Sequence, residues 1–258
     1  MNNNIYEVII IMINKGVKNE IIFVNYIDNK RVGELNLLFQ EMLFDLFENI
    51  TKDDIVYCTK NQKPEKTDIF ITIKNVQKRV SLKIGDKNSV HMEPISEFVN
   101  FLIKNNVSRE YIILYLKYHY ADGTINGKGT NRKSVNEYKK TSQNDINLLN
   151  ELFNSDKLLY KFIERFVLRG RNSNYDIDLL ISGKIDDFFY LKKEDIIKII
   201  YGLKNISTTG LHAGALYIQP QSRNLKNNPK YEKCRYCVQI KWFNLFEHIL
   251  LYKSNNII

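Results

Sequence analysis

The stretch from Thr67 to Leu102, TDIFITIKNVQKRVSLKIGDKNSVHMEPISEFVNFL, decides the predicted fold because it contains two β-strands followed by a helix. Apolar and polar residues alternate in the strands, which extend over residues 68–73 and 79–84. This alternation is typical of strands that bury one face. The opposite, polar face carries three side chains: Asp68, Ser81 and Lys83.

The turn between these strands sets which residues face each other. With Asn75 and Val76 as a two-residue turn, Asp68 lies directly across from Lys83. A register shifted by one residue would mix the polar and apolar faces. Residues that face each other have Cβ atoms roughly 5 Å apart. The sequence therefore predicts a carboxylate beside an ammonium group on one polar face of a hairpin.

A carboxylate beside a lysine suits metal-assisted hydrolysis of phosphodiesters. Mg²⁺ binds one or two carboxylates and several waters, and a nearby ammonium group orients the attacking water and offsets phosphate charge. Asp68 followed by Ser81-Leu82-Lys83 resembles the PD-(D/E)xK nuclease superfamily, whose usual pattern is an Asp and then acid-x-Lys. Serine replaces the second acid here. The same departure occurs in one subset of restriction enzymes, where the next helix supplies the missing acid.

The resemblance implies a fold, a cofactor and a set of site residues. The fold is α/β (α+β), with a restriction-endonuclease-like core in which helices flank a central mixed β-sheet, and the cofactor is Mg²⁺. Asp68 would bind the metal, and Lys83 would face the water and the phosphate. The acid that Ser81 lacks would come from Glu93 or Glu97. These two glutamates are four residues apart, and their pattern does not choose between them.

Two helices are predicted from apolar residues at helical spacing. One begins near Pro94 and follows the hairpin, and Glu93 and Glu97 point away from its apolar stripe. The other begins after Gly33, with Glu34 at its start. The first core helix of the superfamily often has a metal-proximal glutamate, and the resemblance matches it to Glu34. The alternative is an acid that merely interacts with the positive end of a helix.

The composition limits the classes of protein to which the chain can belong. Its 258 residues suit one α/β domain with an insertion or two small domains. The 38 basic and 29 acidic residues give a net charge of +9, which favours a polyanionic partner such as nucleic acid or an anionic membrane. No apolar run is long enough to span a bilayer, and the three cysteines argue against a disulfide framework. We expect a cytoplasmic protein.

Three segments outside the hairpin allow more than one interpretation. Residues 5–27 fit a hairpin or a short helix followed by a strand, and residues 108–120 fit a strand or a helix. Residues 121–145, with three glycines and five basic residues, predict a mobile loop. Such a loop would contact phosphates, although an ordinary insertion would have the same composition. The phosphate contacts are assigned to Lys128, Arg132 and Lys133.

The domain prediction follows from the elements in chain order. Residues 1–120 form the nuclease core, residues 121–205 an inserted, mainly helical region, and residues 206–258 a β-rich segment packed on the core. Besides the hairpin, the predicted strands are 53–58, 176–181, 187–191, 215–219 and 235–242, and the later helices are 146–153, 158–168 and 194–203.

The last fifth of the chain has a polar loop between two β-like runs. Arg reads guanine and Gln or Asn reads adenine in the major groove, so the loop and its strands suggest base contacts. The residues expected to contact DNA here are Gln219, Arg223, Asn224, Gln239 and Lys241. A polar hairpin on a basic protein is the alternative. Cys234 and Cys237 lack a second pair of zinc ligands, so we do not expect zinc.

These features predict a Mg²⁺-dependent DNA endonuclease, most simply a type II restriction enzyme that acts as a homodimer on double-stranded DNA. A DNA methyltransferase acting on the same site would accompany that function. One alternative is a less specific repair or defence nuclease. Another is a non-catalytic nucleic-acid-binding protein on a degenerate nuclease core, which Ser81 in place of an acid supports. No Walker A, GxGxxG or GxSxG motif occurs, so nucleotide-dependent and serine-hydrolase chemistry lack support.

Overall fold

The computed structural model describes residues 15–83, 89–204, 210–221, 223 and 228–255. Contacts between residues divide the chain into two compact units. The first unit comprises Met1–Lys87, Leu168–Ile196 and Ile249–Ile258, and the second comprises Asn88–Val167 and Ile197–His248. Each unit has its own β-sheet.

The secondary structure alternates between strands and helices along the described residues. In chain order the strands are β1 (Lys30–Arg31), β2 (Ile55–Lys60), β3 (Ile69–Ile73), β4 (Val76–Lys83), β5 (Ser89–Pro94), β6 (Leu179–Lys184), β7 (Asp187–Lys192), β8 (His212–Ala213), β9 (Leu216–Pro220) and β10 (Cys237–Lys241). The α-helices are α1 (Lys15–Ile27), α2 (Leu37–Leu46), α3 (Ile95–Lys104), α4 (Arg109–Tyr120), α5 (Val135–Phe153), α6 (Asp156–Ile163), α7 (Lys193–Gly202) and α8 (Leu245–Asn255). None of these helices has the length and apolar character needed to cross a bilayer.

The first unit is built on a six-stranded mixed sheet with the order β1-β2-β3-β4-β6-β7. Neighbouring strands are antiparallel, except that β4 and β6 run parallel. The isoleucines of β3 are buried on one face, as the alternation predicts. Phe23 of α1 and Phe39 of α2 pack in the same core, and the Phe39 ring lies 4.7 Å from that of Phe188 on β7. A mixed sheet flanked by helices is therefore confirmed.

The β3–β4 hairpin differs from the prediction in its register. Ile73 pairs with Val76, so Lys74 and Asn75 form the two-residue turn, with φ values of 48° and 66°. Two left-handed residues match the right-handed twist of a hairpin, and Asn tolerates that conformation well. The observed register places Asp68 next to β4 at Val80 and Ser81, where its N–H donates to the Val80 carbonyl at 2.9 Å. The shift equals two residues, which keeps each side chain on its predicted face.

The second unit combines helices α3 to α6 with an antiparallel sheet of the order β5-β10-β9-β8. The predicted pair of C-terminal strands is confirmed, since Gln239 of β10 faces Gln219 of β9. Aromatic rings fill the helical core, and the rings of Phe98 and Phe166 stack at 5.7 Å. Each such aromatic pair contributes roughly 0.5–1.5 kcal/mol beyond the apolar area that it buries.

Two segments are helical where the sequence analysis predicted a strand or left a strand as one alternative. Both interpretations of residues 5–27 ended in a strand, but Lys15–Ile27 is a helix, and residues 5–14 lie outside the described residues. Phe23 and Ile27, four residues apart, are buried together, which a helix allows. Of the two alternatives for residues 108–120, the helix is correct.

The predicted mobile loop is shorter than expected because α5 begins at Val135. Ser134 caps this helix by accepting from the Glu137 N–H, and the Glu137 side chain accepts from the Ser134 N–H. This capping box has the sequence signature S-x-x-E, which was present at residues 134–137 and indicates a helix start.

The compact units divide the chain at positions other than the predicted boundaries near residues 120 and 205. Strand β6 pairs with β4 along Val80 to Lys83, so residues 179–192 belong to the first sheet and not to an insertion. Two neighbouring parallel strands need a long crossover connection between them. The crossover from β4 to β6 includes residues 89–167 of the second unit.

Candidate active site

Asp68 lies directly before β3, and the neighbouring strand holds its carboxylate. Oδ2 accepts hydrogen bonds from the Leu82 N–H at 2.6 Å and from the Ser81 hydroxyl at 3.0 Å. Burial raises the pKa of Asp68, while the positive charge of Lys83 and these two hydrogen bonds act in the opposite direction. Both hydrogen bonds go to one oxygen, which leaves Oδ1 for a ligand. The carboxylate is thus oriented before any substrate binds.

Ser81 and Lys83 of β4 act on Asp68 in different ways. The Ser81 side chain is buried and donates to the carboxylate, so Ser81 positions Asp68. Lys83 is two residues further along the same face of β4, and its charge lowers the pKa of Asp68. The hairpin therefore brings together the three predicted residues of the polar face, with Ser81 as the nearest one across from Asp68.

Glu20 of α1 also acts on Asp68, and the sequence did not indicate it. Its negative charge contributes to the raised pKa of Asp68, and its carboxylate pairs with the Lys60 ammonium group at 2.8 Å. Glu34, which the resemblance matched to this position, is exposed and accepts from the Arg31 N–H at 3.0 Å, where it caps a short 3₁₀ turn. Glu20 was missed because its segment was predicted to end in a strand, which hid the helix that presents it.

Replacing Glu20 with glutamine is expected to lower the pKa of Asp68. Removing a like charge favours the ionised carboxylate, and the released Lys60 ammonium group acts in the same direction. The Asp68 carboxyl carbon can be titrated by NMR with Glu20→Gln protein. Glu34→Gln is the matched control and should leave that titration unchanged. An unchanged or raised pKa of Asp68 in Glu20→Gln protein would show that Glu20 does not belong to this site.

Glu93 does not occupy the helix position predicted for it. It lies on β5, where it pairs with Val238 of β10, and it is buried. Its Oε2 accepts from Arg165 at 2.8 Å and contacts the His91 ring at 3.0 Å. Pro94 ends the strand and caps the helix, so the helix begins at Ile95, two residues after Glu93. An arginine already compensates this buried charge, and breaking such a pair is costly.

Glu97 lies in the first turn of α3, as predicted, and its side chain is half-buried. A carboxylate is favourable there because it interacts with the positive end of the helix. Its assignment as a metal ligand stays a prediction. Among the described residues, no three His, Cys, Asp or Glu side chains converge in a way that could hold a metal ion.

The residues around Asp68 fit Mg²⁺ by the chemistry of their donors. Mg²⁺ needs only one or two carboxylates and keeps several waters. Asp68 and Glu20 supply two carboxylates whose charges act on each other, and a divalent cation would relieve that repulsion. Lys60 and Lys83 lie beside them and would offset phosphate charge.

The predicted DNA-contacting residues separate into accessible and buried groups. Lys128 and Lys133 are exposed, and Gln219, Gln239 and Lys241 are half-buried. The Lys241 ammonium group lies 5.2 Å from the Phe243 ring centroid. Asn224 lies outside the described residues.

Arg223 and Arg132 are buried, which disagrees with their predicted contacts to bases and phosphates. Arg223 is 2% exposed and donates to the Tyr118 carbonyl at 2.8 Å and to the Lys133 carbonyl at 3.0 Å. Arg132 is 4% exposed and donates to the carbonyls of Tyr120 and His119. Their donors are used inside the second unit, so neither guanidinium group faces solvent as the predicted contacts require.

Three arginines hold the loop of residues 121–134 in one conformation. Arg235 donates to the Gly127 carbonyl at 2.8 Å, and Arg132 and Arg223 bond to backbone on either side of the loop. We call Arg132, Arg223 and Arg235 the arginine clamp. Burial, with repulsion from the other two arginines, lowers the pKa of Arg132 to about 10. The loop is therefore held by charge-assisted hydrogen bonds, in contrast to the predicted mobile loop.

His119 lies beside the clamp, and we expect it to make the protein sensitive to acid. It is fully buried, its Nε2 lies 2.9 Å from the Arg235 carbonyl, and burial lowers its pKa from 6.5 to about 3. Between pH 6.5 and 3 the unfolded chain binds a proton that the folded protein excludes. The free energy of unfolding should therefore fall as the pH falls, by about 1.4 kcal/mol per pH unit from this residue.

Urea unfolding of wild-type and His119→Gln protein at several pH values between 7.5 and 4.5 measures this contribution. Other groups titrate in both proteins, so only the difference between the two pH dependences matters. The wild type should lose more stability than the variant below pH 6.5. Parallel curves would contradict a neutral, buried His119.

The chain matches no known protein-family model and no curated protein. The resemblance to PD-(D/E)xK nucleases therefore depends on the residues around Asp68 and on their geometry.

Proposed function

We propose that the protein is a Mg²⁺-dependent nuclease that hydrolyses phosphodiester bonds in DNA. The observation that carries the proposal is the Asp68 carboxylate, which is half-buried, held through one oxygen by Ser81 and Leu82, and placed within the electrostatic influence of Lys83 and Glu20. A carboxylate oriented in this way, with a second acid and an ammonium group, suits metal-assisted phosphodiester hydrolysis.

Each residue of the site has a distinct part in this chemistry. Asp68 and Glu20 would hold Mg²⁺, which when bound polarises the scissile phosphate and lowers the pKa of a bound water. Ser81 keeps the Asp68 carboxylate in position. Lys83 would orient the attacking water and offset the negative charge that develops on the phosphate. The net charge of +9 favours approach of the DNA.

Of the two glutamates that the resemblance implies, Glu97 matches the expected position better than Glu93. Its spacing from Ser-x-Lys resembles that of the restriction-enzyme subset, and its side chain is half-buried in the first turn of α3. Glu93 already forms a buried ion pair with Arg165. The assignment of Glu97 as a metal ligand stays a prediction from the resemblance, and we propose Glu93 as a structural residue of the second unit.

Substitution of the two glutamates separates these roles. If Glu97 binds the metal as the resemblance implies, Glu97→Gln should reduce cleavage by a factor on the order of 100. Glu93→Gln should lower the free energy of unfolding by roughly 3 kcal/mol, because it leaves the Arg165 charge without its partner. Plasmid cleavage and urea unfolding of both variants are the measurements. A reversed pattern, with Glu93→Gln stable but inactive, would restore Glu93 as the ligand.

The burial of Arg223 weakens the case for sequence-specific restriction, because that loop arginine was the principal candidate for base readout. We therefore propose a DNA endonuclease without assigning it a recognition sequence. A homodimer and a companion methyltransferase belong to the restriction alternative.

Incubation of supercoiled plasmid with the protein, in Mg²⁺ or in EDTA, tests the function. Metal-dependent cleavage supports a nuclease, with discrete fragments for a restriction enzyme and a smear for a less specific one. Shifted but uncut DNA in Mg²⁺ would instead support the second candidate, a non-catalytic nucleic-acid-binding protein. Ser81 in place of an acid favours that candidate, as does the lack of a three-ligand cluster among the described residues. If the protein neither cut nor bound the DNA, both functions would be excluded.

A further inference from the structure

A half-open pocket with a volume of about 300 Å³ is built entirely from residues of the second unit. Helix α4, the loop of residues 121–134 and helix α5 each supply part of its wall. The polar side chains that line it are Lys117, Thr124, Lys133, Tyr138, Ser142 and Asp145. This volume is at the lower end of the range for small-molecule sites.

The loop wall of the pocket is preorganised by Asp122. One carboxylate oxygen accepts from the N–H and the hydroxyl of Thr124, at 2.9 and 2.8 Å, and the other accepts from the Gly129 N–H at 3.1 Å. A Cβ on Gly129 would lie 2.2 Å from the Asp122 carbonyl oxygen, so this turn requires glycine. Together with the arginine clamp, these bonds hold the loop without a ligand, which reduces the entropy lost on binding.

The helix wall of the pocket contains a kink in α5. Ser142 leaves helical geometry, with φ −143° and ψ 36°. The Thr141 hydroxyl donates to the Tyr138 carbonyl at 3.2 Å, a back-bond of the type that bends helices. Ser142 and, one turn later, Asp145 both line the pocket.

The charges in the pocket are divided between two kinds of group. Lys117 and Lys133 are exposed, and the Lys133 ammonium group donates to the Thr141 hydroxyl at 3.4 Å. Ammonium groups are common binders of phosphate in proteins. Asp145 is a hydrogen-bond acceptor whose Oδ2 lies 3.3 Å from the Tyr138 hydroxyl. Burial and the charge of Asp145 raise the pKa of Tyr138 to about 12, so its hydroxyl stays a donor to Asp145. A carboxylate accepts well from the exocyclic amino group of a base.

We propose that this pocket binds a single nucleotide, with its phosphate at Lys117 and Lys133 and the amino group of its base at Asp145. Two ammonium groups and one acceptor carboxylate match the two ends of a nucleotide, and the volume suits one nucleotide and excludes a duplex. The nucleotide is either free or part of an unpaired DNA strand. This inference goes beyond the nuclease proposal and does not depend on it.

Titration calorimetry in EDTA with dAMP, dCMP, dGMP and dTMP tests the pocket directly. The first three carry an exocyclic amino group and should bind about tenfold more tightly than dTMP. This ratio is the discrimination expected from one good hydrogen-bonded contact to a base. Asp145→Ala should reduce the affinities for dAMP, dCMP and dGMP to that for dTMP. Asp145→Asn keeps an acceptor for the Tyr138 hydroxyl and replaces Asp145→Ala if that variant does not fold. In Asp145→Asn protein, the affinity difference between dTMP and the other three nucleotides should be smaller than in the wild type.

The lysines provide a matched comparison. Lys117→Ala and Lys133→Ala should each weaken binding of all four nucleotides about tenfold, whereas Lys140→Ala, exposed on α5 but outside the pocket lining, should change nothing. Equal affinity for dTMP and dCMP would overturn the base contact, and equal losses for Lys133→Ala and Lys140→Ala would overturn the phosphate contact. Thermal unfolding of each variant checks that the fold is kept.

Short single-stranded oligonucleotides distinguish the two sources of the nucleotide. Tighter binding of a pentanucleotide than of dCMP, lost in Lys133→Ala, indicates a nucleotide within a strand, and equal affinities indicate a free nucleotide. Binding of neither kind of ligand overturns the proposal. The same titrations with Asp68→Asn protein should be unchanged, so failure of this inference and failure of the nuclease proposal give different results.

Discussion

Asp68→Asn protein is expected to lose plasmid cleavage by a factor on the order of at least 100 while it still binds DNA, because one negative oxygen of the metal site is removed. The asparagine carbonyl can accept from the Ser81 hydroxyl and the Leu82 N–H, as the Asp68 carboxylate does. The hairpin should therefore keep its structure. Affinity should persist because phosphate contacts spread over many basic residues supply most of it.

Asp178→Asn is the matched control for this substitution. Asp178 lies directly before β6 on the same sheet, and its carboxylate accepts from the Arg79 N–H at 2.7 Å, so its structural function resembles that of Asp68. Cleavage by Asp178→Asn protein should remain within about threefold of the wild type, as for a change away from the reacting atoms. If folded Asp68→Asn protein cut DNA at the wild-type rate, the active-site assignment would be wrong.

Arg223→Ala is expected to lower the free energy of unfolding by roughly 2–4 kcal/mol, the range for a buried, charge-assisted group whose partners are left without donors. Its guanidinium group donates to the carbonyls of Tyr118 and Lys133 and lies 5.2 Å from the Tyr138 ring centroid. The Arg223→Ala substitution removes all of these contacts at once. Urea denaturation measures the effect.

Arg109→Ala provides the comparison, because Arg109 is an exposed arginine at the start of α4 in the same unit. The free energy of unfolding of Arg109→Ala protein should stay within about 0.5 kcal/mol of the wild-type value. Arg223→Lys should restore part of the lost stability, since lysine keeps the charge but cannot reach several carbonyls with one planar group. A stable Arg223→Ala protein with altered DNA sequence preference would return Arg223 to base readout and contradict its structural function.

The periodicity of the sequence was sufficient to predict most of the elements, because burial of one face imposes a repeat that survives in any fold. The alternation in β3 and β4 assigned the polar face that carries Asp68, Ser81 and Lys83, and the helical repeat located α2 and α3. These patterns depend only on neighbours in the chain. The capping box at Ser134 and Glu137 was equally local, and it could have located the start of α5.

Tertiary structure alone decided the rest, because it depends on contacts between residues distant in sequence. Glu20 reaches the site through a helix whose exposed Ile21 and Ile22 blur its apolar repeat. The carboxylate of Glu93, a predicted metal ligand, instead pairs with Arg165, which is 72 residues later in the sequence. Arg223 is buried by carbonyls about 100 residues earlier in the chain. A charged side chain has the same appearance in sequence whether it faces solvent or a backbone carbonyl, so composition determined the charge of this protein, and packing determined which charges a partner can reach.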